Sequence, residues 1–220
     1  MKKRIILFGG SFDPIHNGHL KVAETALKAL KADRVIFVLS KNPQYKKVSD
    51  TANRLNMLKL AIQGHKQFVI DEYELHCDEQ YTYSINTVKH FLKVFPKEQY
   101  ELFFLIGFDE VNFLNQWHEI DTLANLIQFV AVARPGYPKN HELLQKYHVK
   151  VLSDMNYNLS STSIREFLSF DMPKSVIDYL IEHELYFVKT IKPYYTSERY
   201  KHVVSVANLA YDIAKSNHKD

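Results

Sequence analysis

The chain has 220 residues, 46% hydrophobic and 24% charged, which suits one sizeable soluble domain or a domain with an appendage. A net charge of +3 is too small to imply nucleic acid as a partner, and KNPQYKK (41–47) is the only compact basic cluster before the tail. The single cysteine, Cys77, excludes an intrachain disulfide and a cysteine zinc cluster. No stretch reaches the length of a membrane span, and the four apolar residues after MKKR are too few for a signal peptide, so a cytoplasmic location is expected.

In chain order, RIILF (4–8) reads as a buried strand, and Leu20, Ala23, Leu27 and Leu30 then share one helical face. RVIFVLS (34–40) predicts a second strand. Leu55, Leu58 and Ile62 mark a helix with Ser49, Asp50 or Thr51 as its cap. FVIDEYEL (68–75) predicts a third strand, and Ile85, Val88, Phe91 and Leu92 a third helix. ELFFLIG (101–107) and FVAVA (129–133) are continuous apolar strands of the kind covered on both faces, with the helix DTLANLI (121–127) between them. VKVLS (149–153) is a short last strand. Ile164, Phe167 and Leu168 mark a helix starting near Ser161, and Pro173 opens another carrying Val176, Ile177, Leu180 and Ile181. This rhythm predicts an α/β fold, a doubly wound, mostly parallel sheet, with a C-terminal helical extension. Ligands of such sheets lie beyond the carboxyl ends of the strands. GGSFDPIHNGHL (9–20), IGFD (106–109) and ARPGY (133–137) all fall at such ends.

The first of these stretches carries the chemistry. Gly9, Gly10 and Gly18 do not form the dinucleotide fingerprint, and no P-loop lysine follows. The segment still suits a phosphate: its glycines let backbone N–H groups approach, and the helix beginning near Asn17 offers N–H groups and a positive dipole end. His16 and His19, three apart at that helix start, can face one ligand, and their ring N–H groups can bind phosphate oxygens where charge builds up.

GGSFDPIHNGHL resembles the signature of the nucleotidyltransferase superfamily with the HxGH motif, here HNGH (16–19). That superfamily is similar in fold to class I aminoacyl-tRNA synthetases. Within it, the stretch looks most like the bacterial nicotinate-nucleotide adenylyltransferases. The resemblance implies adenylyl transfer from ATP to nicotinate mononucleotide, giving deamido-NAD and pyrophosphate in NAD biosynthesis. Mg²⁺ is expected to arrive with ATP, held through phosphates and water, with no protein metal site.

Further stretches support it. LSSTSIRE (159–166) resembles the family's ISSTxIR, in which Ser160, Ser161, Thr162 and Ile164 line the ATP site. The three hydroxyl residues are good caps whose hydroxyl and N–H groups can hold phosphate oxygens, and Arg165 supplies a cation. NPQYKK (42–47) resembles a PPHK loop with Lys46 as the phosphate-contacting lysine, although Gln44 and Tyr45 depart from the pattern. TYSINT (82–87) resembles SYTIDT, which contacts the mononucleotide and points to Tyr83, Ser84 and Thr87; Asn86 replaces the aspartate. IGFDEVNFLNQW (106–117) resembles IGxDxxxxLxxW. Gly107 and Asp109 are expected at ATP, Asp109 accepting from ribose hydroxyls, and Trp117 as a platform for the pyridine ring. ARPGY implies that Arg134 lies near the bound nucleotides.

The mechanism implied is direct in-line attack on the α-phosphorus of ATP. His16 and His19 would stabilise the transition-state charge. Lys46 and Arg165 would neutralise the triphosphate. Gly9, Gly10, Ser11 and Phe12 would give backbone contacts, with Ser11 shared between the nucleotides. Two other readings keep the same motifs: a transferase for nicotinamide mononucleotide or pantetheine phosphate, and a non-catalytic nucleotide sensor.

The resemblance ends near residue 188, so 1–188 is the expected nucleotidyltransferase domain, and 189–220 a linker and amphipathic helix. RYKHVVSVANLAYDIAKSN (199–217) resembles the first helix of HD-type phosphohydrolase domains, with His202 in the place of a metal ligand. No His-Asp pair follows, so no hydrolase activity is expected of these residues. Either the helix opens a further domain or it packs on a partner, and an unburied apolar face is compatible with a homo-oligomer.

Overall fold

A computed structural model describes residues 2–43, 47–79, 81–133, 140–152, 160–166, 169–186, 188 and 192–217. Six strands form one all-parallel sheet: β1 (Lys3–Gly10), β2 (Arg34–Leu39), β3 (Phe68–Asp71), β4 (Tyr100–Gly107), β5 (Gln128–Val132) and β6 (Lys150–Leu152), in the order β3-β2-β1-β4-β5-β6. The helices are α1 (Asn17–Leu30), α2 (Thr51–Ala61), α3 (Ser84–Val94), α4 (Ile120–Leu126), α5 (His141–Lys146), α6 (Ser161–Arg165), α7 (Lys174–Glu182) and α8 (Ser197–Asn217).

The continuous apolar strands follow from burial on both faces. Successive side chains alternate sides, so Ile6 and Phe8 of β1 enter one core while Ile5 and Leu7 enter the other. β4 splits likewise, Phe103 and Leu105 against Phe104 and Ile106. The first core is closed by α1, α2 and α7, the second by α3, α4 and α5.

The order of the strands positions the site. The chain winds from β1 to β2 and β3 on one side, then crosses to β4 on the other. The carboxyl ends of β1 and β4 therefore diverge into a crevice at the switch point.

Three local expectations are corrected. The third strand ends at Asp71, because Asp71 Oδ1 accepts the Tyr73 N–H at 2.8 Å and turns the chain into a 3₁₀ helix, Tyr73–His76. Pro173 caps α7 instead of opening it. A 3₁₀ helix at Lys192–Tyr194 and the start of α8 at Ser197 occupy part of the expected linker. The 3₁₀ run Phe108–Gln116 and the short α5 have too few residues for a clear helical period. Asp50 proves to be the cap of α2, accepting from Ala52 and Asn53. On α8, Val206, Leu209 and Ile213 are exposed. No helix among the described residues is long and apolar enough to cross a membrane.

Candidate active site

The corner between β1 and α1 is built around Phe12. Its backbone lies in the left-handed region (φ +44°), uncommon for a residue with a Cβ, and its ring is fully buried against Phe8, Phe37 and His19. That ring explains Gly10: a Cβ there would stand 2.9 Å from Phe12 Cζ. His16 forms the N-cap of α1 in extended conformation, and its backbone N–H donates to His19 Nδ1 at 3.3 Å. An accepting Nδ1 puts the proton of a neutral His19 ring on Nε2. The two imidazoles lie 3.7 Å apart, centroid to centroid. His16 is buried, while His19 is half-buried.

The second motif is fastened to the first. Ser160 caps α6 through a reciprocal pair with Ser163, and Ser161 Oγ donates to the Pro14 carbonyl at 3.0 Å. The Arg165 guanidinium donates to the Asp13 carbonyl at 2.5 Å and to Thr162 Oγ1 at 3.1 Å. Two segments, joined by contacts 147 and 152 residues apart in sequence, thus close one wall.

Two adjoining cavities result. The first, of about 200 Å³, is walled by Gly9, Gly10, Ser11, Phe12, His16 and His19 on one side. Gly107, Asp109, Ser160, Ser161, Thr162 and Arg165 wall the other. The second, of about 230 Å³, is lined by Ser40, Pro43, Glu74, Thr82, Ser84 and Trp117, among others. Gly9, Gly10, Ser11, Gly107 and Glu110 belong to both. The carboxyl ends of β1 and β4 are therefore the threshold between them. A larger, shallow depression of about 680 Å³ lies at the opposite end of the sheet, around Tyr100 and Gln128. It holds none of these groups.

A family model described as cytidylyltransferase-like matches residues 7–167, which contain both cavity-forming motifs. The chain belongs to the cytidylyltransferase-like family. Among its relatives, the nicotinate-nucleotide adenylyltransferase of Bacillus subtilis is 37% identical over 182 residues, covering 81% of this chain and 91% of that protein. A probable nicotinate-nucleotide adenylyltransferase/Ap4A hydrolase of Mycoplasma genitalium is 35% identical over 226 residues, covering 100% of this chain and 63% of that protein. The chain thus spans under two thirds of the length of that relative. In fold it is similar to Plasmodium falciparum nicotinic acid mononucleotide adenylyltransferase complexed with NaAD. The TM-score is 0.70 at 22% identity, covering 84% of this chain and 97% of that one.

Within this cytidylyltransferase-like frame, the residues expected at ATP collect around the first cavity, with the exception of Ile164, whose side chain is wholly buried in the core below it. Of those expected at the mononucleotide, Ser11, Ser84 and Trp117 line the second cavity. Trp117 is held edge-on by Phe104 and Phe129. Tyr83 instead stacks on His118, and the buried Thr87 hydroxyl donates to Glu74 at 2.7 Å. Lys46 and Arg134 lie outside the described residues. His202 is exposed on α8, and no group of three or more His, Cys, Asp or Glu side chains suited to a metal forms among the described residues.

Three residues escape a reading of the sequence. Arg54 is wholly buried, and its guanidinium donates to the carbonyls of Ser11 (2.9 Å), Ser40 (2.7 Å), Lys41 (2.9 Å) and Ser49 (3.0 Å). It ties the loops after β1 and β2 to α2. Burial lowers its pKa, and the Asp13 carboxylate opposes that. Glu110 lies on the shared threshold, with only its adjacency to Asp109 as a signal. Glu74 is a buried carboxyl in the second cavity, 7% exposed. Burial pushes it up to about 7; Asp71 adds to the shift, while hydrogen bonds from Thr87 and Ser40 oppose it.

Proposed function

We propose that the chain transfers the adenylyl group of ATP to nicotinate mononucleotide, forming deamido-NAD and releasing pyrophosphate. The observation that carries this reading is the meeting of two cavities at Gly9, Gly10, Ser11 and Gly107. ATP in the first would bring its α-phosphate to the threshold; the acceptor phosphate in the second would approach from the other side. An acceptor phosphate oxygen forms the new bond to the α-phosphorus as the bond to the pyrophosphate oxygen breaks. No side-chain nucleophile is needed.

Two polyanions must meet, so positioning and charge neutralisation carry the catalysis. His19, with its proton on Nε2, donates to phosphate oxygens where negative charge builds, and His16 supports its ring from below. Arg165, clamped on the Asp13 carbonyl, presents a fixed cation to the triphosphate. Lys46 would add a second cation. Mg²⁺ bound to ATP would supply further neutralisation, with ligands from phosphate and water. Glycines at the threshold keep side chains away from the reacting phosphates.

The names of the Bacillus and Mycoplasma relatives support the choice of acceptor. Trp117 at the second cavity supplies an aromatic face for a pyridine. Residues 1–188 would form the transferase unit. Residues 189–220 would be an extension, and a cytoplasmic site of action is part of the same proposal. The test is pyrophosphate release with ATP and each of nicotinate mononucleotide, nicotinamide mononucleotide and pantetheine phosphate. Turnover highest with the first is expected. Turnover confined to another acceptor, or ATP binding with no turnover, overturns the assignment.

A further inference from the structure

Glu74 is the one buried carboxyl of the second cavity among the described residues, and the reaction outlined above makes no use of it. It sits on the 3₁₀ turn Tyr73–His76. Its Oε1 accepts from Thr87 of α3, and Ser40 at the end of β2 supplies a second hydrogen bond. Ser40, Thr82, Ser84 and Trp117 share the cavity wall with it. Among the described residues, the charged groups around it are mostly acidic. β3 contributes Asp71, and the run after β4 contributes Glu110 on the same wall. Its own turn contributes Tyr73 and the following Cys77, Glu79 lies in the next loop, and His90 of α3 stacks on Tyr73. Lys41, just after β2, donates its ammonium to the Cys77 carbonyl at 2.6 Å. None of the ion pairs among the described residues includes Glu74.

We propose that Glu74 is a specificity-determining residue of the acceptor cavity, which admits the carboxylate-bearing pyridine nucleotide while it is neutral and disfavours it once ionised. This rests on the reading of the second cavity as the acceptor subsite. A neutral carboxyl can donate to an anionic acceptor as well as accept from Thr87. An ionised one only accepts, and it sets a like charge, itself buried in the cavity wall, against the acceptor. An acceptor with an amide carries one negative charge fewer and has N–H groups to give, so it loses less. The titration of Glu74 lies near neutrality, inside the working range of an enzyme.

The experiment titrates the full chain with nicotinate mononucleotide and, separately, nicotinamide mononucleotide between pH 6 and 8.5. Binding is followed by the fluorescence of Trp117, the only tryptophan, beside turnover of both with ATP. The Kd of the acid is expected to rise roughly tenfold more than that of the amide over this range, with kcat little changed. Glu74→Gln should hold the ratio of the two constants flat. Comparing two acceptors cancels the ionisation of their shared phosphate. A ratio that does not move with pH in the native chain, or that moves equally in Glu74→Gln, overturns the proposal without touching the transferase assignment. Binding of neither acceptor at any pH overturns both. The native-chain ratio needs no variant, so the proposal stays decidable if Glu74→Gln fails to fold.

Discussion

The Tyr186 hydroxyl donates to Asp13 Oδ1 at 2.6 Å, joining the segment after α7 to the loop that carries His16 and His19. Asp13 is 3% exposed, and its other carboxylate oxygen takes the Ser49 N–H at 3.1 Å. Burial and the Asp13 charge both push the Tyr186 phenol above its usual range, so it stays a donor at any working pH. Tyr186→Phe removes the donor from a buried carboxylate. Stability should fall by about 1–3 kcal/mol, read as a lower urea midpoint at unchanged slope.

Arg54 predicts a larger loss. Arg54→Met leaves the carbonyls of Ser11, Ser40, Lys41 and Ser49 without their common donor. A loss of at least about 3 kcal/mol is expected in urea unfolding. Arg54→Lys should recover little, because a single ammonium cannot span four carbonyls as the guanidinium fork does.

His19 predicts a rate effect with little change in stability. The ring is half-buried, on the cavity, and backed by Phe12. His19→Ala should lower pyrophosphate release roughly 10²–10³-fold. Its thermal melting should stay close to that of the native chain. Near-native turnover would remove His19 from the mechanism.

Glu74 also predicts a pH dependence of folding. Its carboxyl titrates near 7 in the folded chain and at 4.5 in the open one. Between these values the folded state holds the additional proton, so rising pH favours unfolding. Stability should therefore decline from about pH 4.5 to 7, by up to roughly 3 kcal/mol, and then level off with respect to this group. Glu74→Gln should show a flatter profile over the same window in urea titrations.

Much of the site is legible locally. The β1 strand, the glycines and the two histidines lie within one stretch of chain, so spacing alone places both rings at a helix start. The serine-rich cap and Arg165 are legible for the same reason. Arg54 is not. On α2 it reads as one more polar residue of a helix, yet the loops after β1 and β2 close over it and bury it entirely. Glu74 reads as a residue of an alternating strand, but the Asp71 turn ends that strand and carries Glu74 into the cavity wall. The buried Thr87 hydroxyl donates to Glu74, a contact that its place in TYSINT does not reveal.

The sequence by itself determined the alternation of strand and helix, the glycine-histidine corner and the family to which it belongs. These depend on periodicity and on motifs short enough to be read along the chain. Only the tertiary structure decided that the corner and the SSTSIR helix form one wall, that two cavities meet at the ends of β1 and β4, that Arg54 braces the loops beside them, and that Glu74 lines the second. Those facts depend on which segments the crossing from β3 to β4 brings together, and burial changes a polar side chain's role in a way that its position in sequence does not reveal.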